Sequence, residues 1–132
     1  MRRAALASLA LLALPGCTEV ASCAPTTMAA EPADKVDLRA LGRSSVLSAE
    51  LLADGVPVAG KKVVFEARHE GATVYEGEAR TDRNGVARFD LKRVDQAALV
   101  ALARADAYQA TFDGDASYCS SSDEARFEVL NS

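Results

Sequence analysis

The chain has no tryptophan and no isoleucine, and only one histidine, three cysteines and two methionines. Each shortage excludes something. A single imidazole, His69, rules out a metal site built on two histidines. His69 sits in Arg68-His69-Glu70, where a strand breaks, and no nucleophile is placed beside it for general-base work. No G-x-S-x-G elbow, phosphate-binding glycine loop or C-x-x-C pair occurs. A basic excess is also missing, with 15 Lys+Arg against 19 Asp+Glu, so a nucleic-acid partner is not expected. Without Trp or Ile, the core must come from Val, Leu, Phe and Tyr. From Cys17 onward, 22 of 54 hydrophobic residues are alanine, and each buries little area. The core should therefore be modest.

The longest uncharged apolar run, Ala4 to Leu14, has 11 residues, too few to cross a bilayer. It follows Met1-Arg2-Arg3 and is broken by Pro15-Gly16. A basic start, a short apolar run and a small-residue break form the secretory pattern. Leu14-Pro15-Gly16-Cys17 resembles the lipobox of bacterial lipoproteins, in which the cysteine becomes the lipidated N-terminus. The resemblance implies a signal peptide over 1–16, acylation at Cys17 and anchoring in a bacterial cell-envelope membrane. Val20-Ala21-Ser22-Cys23 offers Cys23 as an alternative lipidation site, farther from the apolar run. Thr18 after Cys17, in place of Asp, fits outer-membrane sorting of enteric type. Removing 1–16 takes two arginines, leaving 13 cations against 19 acids and a net charge of −6.

Residues 18–33, TEVASCAPTTMAAEPA, show neither helical nor strand periodicity. They read as a flexible tether, so that 17–33 links lipid to a domain over 34–132. Within that domain the apolar residues recur mostly every second position. Val36, Leu38 and Ala40 mark a first strand; Leu47, Ala49 and Leu51 a second; Val63, Phe65 and Ala67 a third. Thr73, Tyr75, Gly77 and Ala79 form one face of a fourth, and Ala87, Phe89 and Leu91 of a fifth. Tyr108, Ala110 and Phe112 give a sixth, Phe127 and Val129 a seventh. Asp54-Gly55 is a turn signal, and Asp82-Arg83-Asn84-Gly85 predicts a tight hairpin because Asn-Gly tolerates positive φ. DQAALVALARA, from Asp95, interrupts the alternation and predicts a short helix near 95–104; an early start of the sixth strand is the alternative.

Seven short strands punctuated by turns predict an all-β, immunoglobulin-like sandwich with Greek-key connections. Gly55-Val56-Pro57-Val58-Ala59-Gly60-Lys61-Lys62-Val63-Val64-Phe65, followed by Thr81-Asp82-Arg83-Asn84-Gly85-Val86-Ala87, resembles the bacterial Ig-like domains of invasin- and intimin-type surface proteins. Ala110-Thr111-Phe112-Asp113-Gly114-Asp115-Ala116-Ser117-Tyr118 resembles the end of related repeats. The similarity covers about residues 35–130. It implies a non-enzymatic surface or periplasmic binding or structural module, partnered by a protein or other cell-surface component. This chain carries one module where the family stacks several.

Such a topology gathers Asp54, Asp82, Asp113, Asp115, Asp123 and Glu124 near the tether end and sends His69 and the helix to the other. Asp113, Asp115, Ser117, Ser121 and Glu124 follow the spacing of a calcium loop, but Tyr118 stands where the tight turn needs glycine. Asp113, Asp115, Ser117 and Glu124 remain a candidate binding loop, and no metal or other cofactor is expected. The alternative function is a small-ligand or calcium-binding periplasmic protein using loops 53–60, 81–85 and 113–124. With Cys17 lipidated, Cys23 and Cys119 remain as an even pair in an oxidising compartment, and a disulfide is expected between them.

Overall fold

The computed structural model describes residues 22–39 and 45–130. The signal segment 1–16, Cys17 and Ala40 lie outside them. The described chain is mostly β, with two facing sheets and one short helix. Strands β1 (Thr26–Ala30) and β2 (Ala33–Val36) lead into β3 (Val46–Ala53) and the two-residue β4 (Val56–Pro57). Next come β5 (Lys62–His69), β6 (Ala72–Arg80) and β7 (Val86–Asp90). A 3-10 turn at Leu91–Arg93 and helix α1 (Gln96–Leu102) precede β8 (Ala107–Phe112) and β9 (Ser121–Val129).

One sheet has the order β2-β9-β8-β5-β6, antiparallel except for the parallel β2–β9 pair. In the other, β3 lies between β1 on one side and β4 and β7 on the other. The expected alternation holds where it was strongest. Leu47, Ala49 and Leu51 face Val63, Phe65 and Ala67 across the core, with Tyr108, Ala110 and Phe112 beside them, all buried. Phe89 links the layers, its ring 6.1 Å from Phe65 and 6.0 Å from Tyr75. It lies over Gly77, where an added Cβ would come within 2.5 Å of the ring. Helix α1 forms as the composition predicts. Asp95 caps it by accepting from the Ala98 amide at 2.9 Å, and Ala98 and Leu102 are buried.

Three expectations need correction. The tether reading fails from Ala24 onward, because Thr26–Ala30 pairs residue for residue with β3. Backbone pairing, not a run of large apolar side chains, makes this strand, and Met28 is its one buried residue. The first predicted strand is shorter and earlier, at Ala33–Val36. Its buried residues are three apart because Lys35 adopts φ 56° and the register against β9 shifts there. The Asp82–Gly85 turn forms, with Gly85 N–H donating to the Asp82 carbonyl at 2.9 Å, but only Gly85 takes positive φ. Its flanking strands, β6 and β7, then diverge into different sheets.

Candidate functional site

The strand pairings bring the chain entry at Cys23 to one end of the molecule. Loops 54–57, 60–62, 81–85 and 113–120 share that end. There Cys23 and Cys119 lie at disulfide distance, their Cα atoms 5.0 Å apart, as the cysteine count led us to expect. The link is embedded in hydrogen bonds. Ala24 N–H donates to the Ser117 carbonyl and Cys119 N–H to the Ala24 carbonyl, each at 2.8 Å. Beyond them the Thr26 hydroxyl donates to the Cys119 carbonyl at 2.7 Å and lies 2.8 Å from the Ser121 hydroxyl.

Asp115 organises the loop that holds Cys119. One carboxylate oxygen accepts from the Ser117 and Tyr118 amides at 2.9 and 2.8 Å. The other accepts from Lys61 Nζ at 2.7 Å, and the same ammonium lies 5.3 Å from the centre of the Tyr118 ring. The Lys61 bond first, and then the two amides, hold the Asp115 carboxyl below its ordinary pKa. Asp82 does similar work in the 81–85 loop, accepting from the Val86 and Asn84 amides and from Arg88. The Val86 bond leads in lowering its pKa.

The calcium-like spacing does not assemble as a ligand set. Asp113 is exposed on the loop, and Ser117, also exposed, joins the Asp115 knot through its backbone amide. Ser121 meets Thr26, while Glu124 lies within β9 opposite Gln109. Among the described residues, no group of three or more His, Cys, Asp or Glu side chains converges as a metal site. A hollow of about 240 Å³ lies beside the knot, lined by Lys61, Lys62, Arg80, Phe112 and Asp113 among others. It is a mixed-charge surface, not an acidic one. A larger hollow of about 410 Å³ opens by the outer face of the second sheet, beside Ala29, Glu31, Ser48 and Glu50.

Sequence reasoning missed the polar clamp that carries the chain from one sheet to the other. Asp123, expected in the loop cluster, lies within β9, where its carboxylate accepts from the Ala30 amide at 2.8 Å. On the adjacent strand β8, opposite Ala125, the buried Tyr108 hydroxyl meets the carbonyl oxygens of Glu31 and Ser48, the latter at 2.9 Å. Burial chiefly pushes the Tyr108 phenol up to about 12. An aromatic residue with a polar tip in an otherwise apolar alternation was the available signal. Its partners are 77 and 60 residues away, so the sequence could not name them.

At the far end, His69 Nδ1 is 3.7 Å from Asp106 and Nε2 is 3.9 Å from Glu70, beyond hydrogen-bonding range. The position agrees with the expected separation of His69 from the acidic loops. No family model, curated protein or solved structure matches this chain.

Proposed function

We propose that this chain is a bacterial envelope lipoprotein whose single immunoglobulin-like sandwich serves as a non-enzymatic binding or structural module. The order of strand pairing carries the reading. β3 and the short β4 lie in one sheet while β5, the next strand, enters the other, and β6 and β7 divide in the same way; β3 pairs with β7, and β5 with β8. This interleaving supports a Greek-key arrangement, with β1 and β2 as two halves of a first strand that changes sheets at Glu31–Pro32. The Cys23–Cys119 link fits a chain that leaves the reducing cytosol. It also favours Cys17 over Cys23 for lipidation, because a cysteine in a disulfide has no thiol to acylate.

The test is the intact mass of protein extracted from membranes. The expected species begins at Cys17, carries acyl chains, and gains two hydrogen masses on reduction. A mature chain that starts elsewhere, or bears no acyl mass, would overturn the lipoprotein reading. Capture of a specific envelope protein or surface component by the folded domain would identify the partner.

A further inference from the structure

The sequence suggested a tether of about sixteen residues between lipid and domain, but Cys23, six positions after Cys17, is already joined to the folded unit. Cys23 is linked to Cys119, and Ala24 is hydrogen-bonded on both sides to the 117–119 backbone. If Cys17 is the acylated residue, six residue steps separate the membrane surface from a fixed point on the domain. At about 3.6 Å per step, the leash reaches no more than roughly 22 Å. Its fixed point lies at the end that carries loops 54–57, 60–62, 81–85 and 113–119.

Charge favours the same placement. From Cys17 onward the chain carries six more acids than cations, which an anionic membrane surface repels. At the tethered end, however, Lys61, Lys62, Arg80 and Arg83 balance Asp54, Asp82, Asp113 and Asp115. Glu19 lies between Cys17 and Cys23, and the other five of the six excess acids lie elsewhere, many on the strands and at the far end, as with Glu66, Glu76, Glu124, Glu70 and Asp106. Screening damps that repulsion within about 8–10 Å, so the remote acids feel the surface little when the neutral end faces it. Val56 stands at this end with 62% of its surface exposed, next to exposed Pro57 and Ala59.

We infer that the end bearing Val56, Lys62, Arg80 and Arg83 rests on the headgroup layer of the anchoring membrane, and that the Cys23–Cys119 link holds it there. The inference rests on the lipid attachment proposed above. The opposite end, with His69 and the exposed Val100, then points away. β6 alone spans nine residues, so that end stands roughly 30 Å farther out, at about 3.3 Å per residue. The membrane is thus the partner of one end, and the far end is the one presented to the envelope.

Because the chain has no tryptophan, a single Trp is a clean reporter. Val56→Trp and Val100→Trp would be made in the full-length lipidated protein and reconstituted into phospholipid vesicles with nitroxide-labelled headgroups. Ala116→Trp, exposed at the same end as Val56, guards against a local defect at Val56. Expected is at least about twofold stronger quenching at positions 56 and 116 than at 100. Inserting twelve Gly/Ser residues after Thr18 should erase that difference. Equal quenching at both ends of the parent protein, in vesicles that carry the protein on flotation, would overturn the inference and leave the anchor standing. Protein that fails to float with the vesicles would overturn the anchor, and the inference with it.

Discussion

Tyr108 is fully buried, and a buried phenol without a hydrogen-bond partner is costly. Here it finds two partners, both main-chain carbonyls at the point where the first strand leaves one sheet for the other. Tyr108→Phe keeps the ring, 6.0 Å from Phe65, but removes the hydroxyl from the Glu31 carbonyl and leaves the Ser48 carbonyl with the Glu31 amide at 3.0 Å. The expected loss is about 1–3 kcal/mol of unfolding free energy, read from urea titrations at pH 7. The same residue sets an alkaline limit. Its pKa is raised from 10.0 to about 12, so its stabilisation is complete below pH 10 and is lost as the pH rises through 12. Tyr108→Phe should flatten that part of the stability profile; an unchanged alkaline limb would refute the assignment.

At the scale of elements, the loop between β8 and β9 shows how a turn can resemble a ligand site in sequence and yet be internally satisfied. The Asp-Gly-Asp run suggested oxygen ligands. In the fold, both oxygens of Asp115 are taken by its own loop and by Lys61, 54 residues away. Asp82 is similarly committed. Both carboxyls have lowered pKa values, so their stabilisation is present above the ordinary carboxylate pKa of 3.8 and fades as the pH falls through the lowered values. Asp115→Asn should make the melting temperature less sensitive to acid below the ordinary carboxylate pKa of 3.8. At pH 7 it should cost less than Tyr108→Phe, since the Asp115 knot is solvent-screened. A melting profile that parallels the parent's throughout would show that Asp115 does not hold the loop. Strands β3, β5 and β8 were legible because apolar residues recur at every second position, and helix α1 because helix formers interrupt that alternation. β1 was not, because TTMAA buries one large side chain and depends on β3 for its backbone partners.

At the scale of the whole molecule, the Cys23–Cys119 link closes 96 residues of sequence around an alanine-rich core. In the chain-entropy account, a loop of that length stabilises the fold by about 4–5 kcal/mol, often less in practice. The Cys23→Ala/Cys119→Ala protein should therefore unfold at clearly lower urea, with a loss of about 2–5 kcal/mol, and so should the reduced parent. A loss under about 1 kcal/mol would mean that the 24–26 and 117–121 hydrogen bonds suffice to hold β1. By itself the sequence determined the β-rich class, the helix, the buried faces of the central strands and the choice of cysteines. All of these follow from local period, local propensity and simple counting. Only the tertiary structure decided where the domain begins, how the first strand divides between sheets, and which acids are already engaged. Those outcomes draw on partners as far as 54 to 96 residues apart, which no local pattern encodes. The tether read from composition gives way to folded chain at Cys23 and Ala24 for the same reason: a distant cysteine and a neighbouring strand captured that part of it.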